Sequence, residues 1–557
     1  MTVARTAFSS LLRDAHDYTC MFADRHGREL AQGTLATPGQ SGAMALGIKN
    51  IVEQLSSQEL EEGDVLITND PWALAGHLND VCVISPIFYK QRMVGYTACV
   101  FHHSDIGGRV ASDNQDVFEE GLFIPLVKLH SGGVPNEEIL DLIRWNVRTP
   151  DKVIGDIRSQ IAANHVCAEQ VCNLLKEHQM EDLDDLADEI IERTEQSMRA
   201  SISALPDGIY TSEVAIEQRE GESDLTITAS VGVAGSEISV DLTGSSSEVG
   251  WGGNVVYNFT YAYVFMALKS MFDPDIPNNH GSAAPINLIV PEGSVLNCRF
   301  PAAVAARMQV GHFLTEVIYR ALAPVMPNQV LAASGGTPAT MNVMYGKDKE
   351  GDSWHTVVIR GGGMGAREGK DGEHCYIFPA NGANTPVEIL ESETPLIVEC
   401  RQLIPDSGGA GRWRGGLGRR TVFRIPDGEN APRGPVNLAI QSGRFRLPPE
   451  GLNGGQPGAL GQFLVNQQPC NPYGLTRLSA GDVVTMDAAG GGGFGMPQER
   501  DIKLIEQDLV RGYISGEGAK ANYGVLPDST GLLIRSTIPA EEDAGTADPQ
   551  NTGTRGD

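Results

Sequence analysis

The segment DVCVISPIFYKQRMVGYTACVFHH, residues 80–103, consists of two apolar stretches around the polar triplet KQR. Two apolar runs separated by so short a polar link predict a β-hairpin. A hairpin brings its two outer ends together, so residues before the first strand and after the second become neighbours. His77 and Asp80 stand at one end, and His102 and His103 stand at the other. The hairpin therefore places His77, Asp80 and one of the two later histidines close together.

These side chains are of the types that bind divalent metals. Two imidazoles and a carboxylate suit Zn²⁺, Mn²⁺ or Fe²⁺ and leave positions open for water or substrate. Neighbouring residues of an extended strand point to opposite faces, so one of His102 and His103 is expected to be a ligand. The other would support the ligands from behind or face substrate. Hydrogen-bonded histidines in a loop-rich interior are the alternative, but the clustering favours metal binding or catalysis.

Hydrophobic periodicity changes along the chain and predicts a mixed α+β protein of several domains. The first part alternates short strands with helices, and from residue 208 the pattern alternates like antiparallel strands. We expect an N-terminal α/β domain that carries the metal site at 1–205, and strands with buried helices at 206–330. A glycine-rich, β-rich region follows at 331–535, and the polar tail at 536–557 is expected to be disordered.

Composition excludes several classes of function. The net charge of −29 argues against a nucleic-acid partner, because binding a polyanion needs a basic face. No run of about 18 apolar residues occurs, so no membrane span is expected. The first residues lack the apolar core of a secretion signal, which predicts a cytoplasmic protein. The nine cysteines are scattered without a CxxC pair, so neither a disulfide framework nor a cysteine zinc site is predicted.

Three glycine-rich stretches are weaker candidates for anion binding. GGGGFG (490–495) lacks the Lys-Ser/Thr of a phosphate-binding P-loop, which favours a tight structural loop. IRGGGMGAREGKDGEH (359–374) could present backbone N–H groups and Arg367 to an anion, although a turn between strands is slightly favoured. PDSGGAGRWRGG (405–416) is equally compatible with a structural loop, a subunit contact or an anion site.

Several long blocks of the chain resemble the hydantoinase B/oxoprolinase family. They occur in consistent order from about residue 10 to 525 and include TNDPW, GHLNDV, HHSDIGG, NVRTPDKVIGDIRSQIAAN, FPAAV, GGGMGAREGKDG and PDSGGAGRWRGGLG. The resemblance implies the β subunit, or β half, of an ATP-dependent cyclic amidase that acts on a hydantoin, 5-oxoproline or a lactam. It also implies a hydantoinase A-like ATPase partner, in an αβ or α2β2 complex, which would bind ATP and Mg²⁺.

The resemblance also implies site residues. The family's metal site maps onto His77, Asp80 and His102, with Asp17 as a candidate fourth ligand. One departure stands out: many members have a histidine before Gly-Ser-Met, where this chain has Gln40. If that histidine touches substrate, Gln40 is a candidate for altered ring specificity.

The resulting hypothesis is a reaction divided between two subunits. The partner would phosphorylate the amide oxygen of the ring, and this chain would add water to the activated intermediate. A metal would lower the pKa of that water. His103 or Asp105 would act as general base or orienting group, and Arg367 would hold a substrate carboxylate or phosphate. The alternatives are a subunit of a ketone carboxylase of the acetone or acetophenone type, and a non-catalytic scaffold with a structural metal.

Overall fold

The computed structural model describes residues 2–55, 60–109, 111–218, 221–527 and 532–535. Within these ranges helices alternate with several β-sheets, which confirms the α+β prediction. The tail at 536–557, predicted to be disordered, lies outside the described residues. No helix in the described ranges has both the length and the apolar character needed to cross a bilayer.

The predicted hairpin is the centre of a seven-stranded sheet. In spatial order its strands are Glu29–Gln32, Tyr18–Asp24, Arg92–His102, Asp80–Tyr89, Val65–Thr68, Val127–Ser131 and Val134–Pro135. Helix Pro38–Leu55 packs its apolar side on one face of this sheet. Helix Pro150–Glu177 covers the other face, where the Gln160 amide donates to the backbone carbonyls of the hairpin strands. The central strands are therefore buried on both faces, which explains their nearly continuous apolar sequence.

The turn of this hairpin fixes the register of its strands. Lys90 and Gln91 both have positive φ, 49° and 66°, as a two-residue type I′ turn requires. Tyr89 therefore lies opposite Arg92, and at the far end Asp80 lies opposite His102.

A second sheet and two buried helices make up the middle of the chain. The sheet has the order Ile286–Ile289, Glu237–Asp241, Leu225–Ala234, Gly208–Ile216. Helices Tyr257–Phe272 and Phe313–Leu322 pack with it, and their shared core also includes residues of the first 205 positions. This part of the chain thus continues the N-terminal core, and the boundary at 205/206 stays a prediction.

Two further sheets form the C-terminal part. One has the order Ser353–Arg360, Thr340–Lys347, Val436–Gln441, Leu475–Leu478, and the other Ile397–Leu403, Arg419–Arg424, Val483–Asp487, Gln462–Val465, Gln468–Pro469. Apolar side chains of both sheets share one core that includes Met344, Trp354, Phe423 and Val484. A short pair, Val525–Pro527 and Leu533–Arg535, completes the strands of the described ranges.

The remaining helices are short or peripheral. They are Thr2–Thr6, Ser10–Arg13, Glu137–Asn146, Asp184–Ile202, His280–Ala283, Met308–Gly311, Val387–Glu393, Ile502–Val510 and Gly516–Tyr523, with 3₁₀ turns at Val117–Glu119, Gly428–Asn430 and Pro497–Glu499. The helices beyond residue 500 were not expected in a β-rich region. Capping by Asp501, which accepts from Lys503 N, and by Ser515, which accepts from Gly518 N, explains where they begin.

The three glycine-rich stretches pack against one another through their backbones. Gly416 N donates to Met364 O at 2.8 Å, and Gly491 N donates to Gly416 O at 2.9 Å. A Cβ atom at Gly363 would lie only 1.9 Å from Gly416 O. These loops therefore need glycine because backbones meet there, as the structural interpretation of GGGGFG predicts.

Candidate active site

The two ends of the hairpin meet as the sequence predicts. Asp80 is the first residue of one strand and faces His102, the last residue of the other. The rings of His77 and His102 lie 4.8 Å apart between centroids, and His77 Nε2 lies 3.3 Å from Asp80 Oδ2. All three side chains are buried.

Asp17 and Gln40 join this cluster from two neighbouring elements. Asp17 precedes strand Tyr18–Asp24, and its carbonyl accepts from the backbone N–H of His102 at 3.2 Å. Gln40 lies in the first turn of helix Pro38–Leu55, with its amide over the same end of the sheet. Gln40 Nε2 donates to Asp17 Oδ1 at 3.2 Å and to Asp80 Oδ1 at 2.9 Å. One amide group therefore bridges the two carboxylates.

A buried arginine neutralises part of this acidic cluster. Arg307 Nη2 lies 2.6 Å from Asp80 Oδ2, and Arg307 Nε donates to Ala75 O at 2.9 Å. The guanidinium stacks 4.4 Å from the ring of Phe259. Its Nη1 has no hydrogen-bond partner among the described residues, so one donor remains available.

Burial and neighbouring charges give the Asp80 and Asp17 carboxylates very different pKa values. Burial alone would raise the pKa of Asp80, but His77 and Arg307 outweigh it and hold that pKa far below its usual range. Burial, together with the charge of Asp80, raises the pKa of Asp17 to about 7, although Arg307 opposes this. Burial also lowers the pKa of both His77 and His102, so their imidazoles are neutral at neutral pH.

The donor set suits a divalent metal in its chemistry. Both ring nitrogens of His102 are buried without a hydrogen-bond partner, which is unusual for an imidazole, and His77 Nε2 faces Asp80 Oδ2 at 3.3 Å. Neutral imidazoles beside an ionised carboxylate are the ligands that zinc and similar ions take. Within the described ranges, however, no three His, Cys, Asp or Glu side chains already converge as a metal site. Arg307 instead donates a hydrogen bond to Asp80 Oδ2, so metal binding stays a prediction.

An enclosed cavity of about 30 Å³ adjoins the cluster, with room for about two water molecules. Its polar wall consists of Asp17, Thr37, Gln40, His102, Tyr263 and Arg307. The opposite wall is apolar and includes Phe259, Met308, Met341, Ile359 and Ala380. A polar end facing an apolar end is the arrangement expected for a ligand with a reactive polar group on a hydrocarbon ring. A ligand of that size needs more room than two water molecules, so the cavity walls would have to move apart to admit it.

Tyr263 presents a hydroxyl group whose hydrogen is free. His312 Nδ1 accepts from Ala339 N at 3.1 Å, so this nitrogen carries no proton. Burial, reinforced by Arg307, lowers the pKa of His312 to about 3, which keeps the ring neutral. Nε2 must then carry the proton and donate to Tyr263 Oη at 2.9 Å. The hydroxyl hydrogen of Tyr263 is thereby left for another acceptor.

His103 does not join the cluster. It points to the opposite face of the sheet, where its Nε2 lies 3.2 Å from Gln160 Oε1 of helix Pro150–Glu177. The expectation that His102 and His103 face opposite ways therefore holds, and His102 is the one beside His77. The catalytic role predicted for His103 has no support from this position.

Asp105 also lies apart, because its carboxylate is already saturated. It accepts from Gly107 N at 3.1 Å and from Arg148 Nη1 at 2.8 Å. It accepts further from the backbone N–H groups of Arg148 and Thr149, just before helix Pro150–Glu177. Asp105 thus anchors the start of that helix, which leaves it poorly suited to act as a general base.

Arg367 is exposed and does not line the cavity. It forms isolated backbone bridges with Leu331 and Lys370 in the glycine-rich region. The turn interpretation of this stretch agrees with that position better than substrate binding does.

Sequence reasoning missed three residues of this site: Arg307, Tyr263 and His312. None of them lies near the hairpin in sequence, and no spacing rule connects them to it. Arg307 follows the FPAAV block closely, so that block was the one available signal for it.

A model of the family described as hydantoinase B/oxoprolinase matches residues 1–497. This chain belongs to the hydantoinase B/oxoprolinase family. A relative from Methanocaldococcus jannaschii is 34% identical, covering 93% of this chain and 92% of its own length. A relative from Pseudomonas sp. (strain NS671), named as one subunit of a putative D-/L-hydantoinase, is 31% identical, covering 96% of this chain and 93% of its own length.

The fold agrees with that of a solved structure. The ATP-dependent caprolactamase from Pseudomonas jessenii superposes with a TM-score of 0.86 at 26% identity, covering 95% of this chain and 94% of that one. This chain therefore shares its architecture over nearly the whole length. Relatives named as single subunits, among them the β subunit of a caprolactamase, are also consistent with a chain that works within a hetero-oligomer.

Proposed function

We propose that this chain is the hydrolytic subunit of an ATP-dependent cyclic amidase. It would add water to a lactam or hydantoin whose amide oxygen a hydantoinase A-like ATPase partner has phosphorylated. The observation that carries the proposal is the buried cluster of His77, Asp80, His102 and Asp17, which lies beside an apolar-walled cavity. The caprolactamase likeness agrees with a cyclic amide as substrate.

A divalent metal such as zinc, manganese or iron, held by His77, Asp80 and His102, would supply a water of lowered pKa. The unpartnered ring nitrogens of His102 support this assignment. Gln40 stands between Asp80 and Asp17 and holds Asp17 Oδ1 by a hydrogen bond. We therefore assign Asp17 a proton-transfer role rather than the fourth ligand position.

The chain's own side chains account for the remaining chemistry. Asp17 would take a proton from the attacking water and pass it to the ring nitrogen, and would then move the proton of the new hydroxyl to that nitrogen as the C–N bond breaks. This leaves an acyl phosphate, and a second water would cleave it to the carboxylate and inorganic phosphate. Arg307 Nη1 and the Tyr263 hydroxyl would donate hydrogen bonds to the developing oxyanion or the phosphoryl oxygens. Burial keeps the pKa of Tyr263 well above its usual value, so Tyr263 donates a hydrogen bond rather than a proton. The apolar wall would hold the hydrocarbon part of the ring.

The test is to produce the chain together with the hydantoinase A-like ATPase subunit. ATP turnover and ring opening are measured with 5-oxoproline, hydantoins, caprolactam and small ketones, the ketones with and without bicarbonate. The proposal expects stoichiometric ring opening with a cyclic amide. Turnover only with a ketone plus bicarbonate would overturn it in favour of carboxylation.

Asp80→Asn keeps the shape of the side chain but removes its charge. The variant should lose ring opening and metal binding, and the complex with the partner subunit should still assemble. Metal content is measured by elemental analysis and assembly by size-exclusion chromatography. The matched control is Asp113→Asn, which breaks a partly buried ion pair with Arg109 and should leave ring opening unchanged. Full activity of the Asp80 variant without metal would refute the assignment.

A further inference from the structure

Three arginines of the two C-terminal sheets carry buried charge without a carboxylate in ion-pair contact. Arg360 ends strand Ser353–Arg360, Arg419 begins strand Arg419–Arg424, and both are only 5% exposed. Arg401 lies nearby and is partly buried. Among the described residues, none of the three has a carboxylate within ion-pair distance. In a chain with net charge −29, such unpaired buried cations need a physical explanation.

The hydrogen bonds of these guanidinium groups are incomplete. Arg419 Nη1 donates to Asn384 Oδ1 at 2.6 Å, and Arg401 Nη1 donates to Thr385 O at 2.9 Å. Arg360 Nε donates to the Asn342 amide, turned with its oxygen inward, at 2.7 Å, and Arg360 Nη2 donates to Met486 Sδ. Arg419 also hydrogen-bonds the Cys375 side chain. Arg360 Nη1, Arg401 Nε and Arg419 Nε are buried and have no acceptor. Buried donors of this kind are rare in native proteins unless a bound group completes them.

The three charges also repel one another. Burial, followed by the charges of Arg419 and Arg401, lowers the pKa of Arg360 far below its usual value. Burial lowers the pKa of Arg419 to about 10; Cys375 opposes this shift and Arg401 adds to it. These groups still carry their charge at neutral pH, so the repulsion is present in the folded protein. An anion between them would relieve it.

Arg360 and Arg419 line the same cavity of about 20 Å³ between the two sheets. Thr340 and Ser442 also line it, and their hydroxyl oxygens lie 2.8 Å apart. Two hydroxyl groups that share one hydrogen bond retain one hydrogen for a further acceptor. The carboxylate in the wall, Asp487, already binds Arg420 through both oxygens at 2.8 and 2.7 Å. The cavity thus offers donors from two cations and a hydroxyl.

The size of the cavity limits what it can hold. A volume of about 20 Å³ accommodates one water-sized body, which excludes a phosphate or a carboxylic acid in this arrangement. We propose that the cavity between Arg360 and Arg419 binds a small monovalent inorganic anion of the chloride type. It is separate from the active-site cavity, because Met341 and Ile359, next in sequence to Thr340 and Arg360, line that other cavity from the opposite face of the sheet.

Bromide serves as the probe for the wild-type protein. Crystals of the full chain grown or soaked in bromide should show an anomalous peak within hydrogen-bond distance of Arg360 Nη1 and Arg419 Nε. In solution, the thermal unfolding midpoint should rise saturably in chloride relative to gluconate at equal ionic strength, by about 2 °C or more. Equal midpoints in the two salts together with an empty cavity would overturn the proposal.

Arg360→Met removes one cation and fills its space with an apolar side chain. The chloride-dependent shift in midpoint should disappear in this variant. The matched control is Arg424→Gln, on the same strand as Arg419 but in a half-exposed pair with Glu399, which should keep the shift. A full chloride response in Arg360→Met would refute the site. If that variant does not fold, the bromide peak in the wild type decides.

Discussion

At the scale of single residues, the candidate site combines one part that sequence could predict with another that it could not. Hairpin geometry predicted that His77 and Asp80 meet one of His102 and His103, because the turn determines which strand residues face each other, whereas the choice of His102 came from the family resemblance. Arg307 and Tyr263 reach the same cavity from residues more than 150 positions away. Their arrival depends on how separate sheets pack, which no local pattern encodes.

Arg307→Met should destabilise the protein strongly, because Asp80 would stay buried without its cation. We expect a loss of about 3–5 kcal/mol in the free energy of unfolding, measured by urea denaturation. Arg193→Gln, which breaks an exposed pair with Glu189, should cost less than about 0.5 kcal/mol. The double variant with Asp80→Asn should recover much of the loss. A loss below about 1 kcal/mol in the free energy of unfolding of Arg307→Met would contradict this account.

Glu29 should make stability depend on pH. Burial raises the pKa of Glu29 to about 8 from an ordinary value of 4.5. Between these values the folded protein keeps the proton and the unfolded chain has lost it. The free energy of unfolding therefore falls as pH rises, by about 1.4 kcal/mol per pH unit from this group alone. Below about pH 4.5 the contribution is fully present.

Glu29→Gln should flatten this dependence, so that the variant gains stability over the wild type as pH increases from 5 to 8. Urea denaturation at a series of pH values measures the difference. Glu222→Gln, at an exposed position, is the control and should leave the slope unchanged. A constant difference between Glu29→Gln and the wild type would show that Glu29 ionises normally.

At the scale of secondary-structure elements, the long periodic segments were predictable and the short ones were not. The hairpin, helix Pro38–Leu55 and the strands after residue 208 all follow from periodicity. Helices Ile502–Val510 and Gly516–Tyr523 are too short for periodicity to identify. His103 and Asp105 show a different failure, because a pattern of residue types could not distinguish a ligand from a helix anchor.

The hairpin turn stores strain that a single substitution should release. Gln91 adopts a left-handed conformation with φ of 66°, which glycine takes without cost. Gln91→Gly should therefore raise the free energy of unfolding by about 0.5 kcal/mol. Gln91→Ala keeps the Cβ atom and should bring no such gain, and both are compared by urea denaturation. Equal stability of the two variants would argue against strain at this turn.

At the scale of the whole molecule, distant parts of the chain complete one site. The N-terminal sheet supplies the histidines and carboxylates, whereas Met341 and Ile359 of a C-terminal sheet supply the apolar wall. The sequence predicted separate regions with these characters, but not that they would share a cavity. Contacts between regions depend on complementary surfaces, and single-chain patterns do not reveal these.

Adding a side chain to a packed glycine of the glycine-rich loops should strongly destabilise the protein. Gly363→Ala would place a Cβ atom 1.9 Å from Gly416 O, so we expect a loss of more than about 3 kcal/mol or failure to fold. Gly516→Ala is the control, since no atom lies within 4 Å of the added Cβ, and it should be nearly neutral. Soluble yield and urea denaturation provide the measurement. Normal stability of the Gly363 variant would contradict the observed packing.

The loops that make this family easy to recognise carry no information about its substrate. Their glycines are required because one main chain rests directly on another, whatever molecule is bound elsewhere. Every side chain lining the cavity beside His102 could be exchanged while these loops stayed the same. Substrate preference among such proteins should therefore be sought in the cavity walls, not in the signatures used to group them.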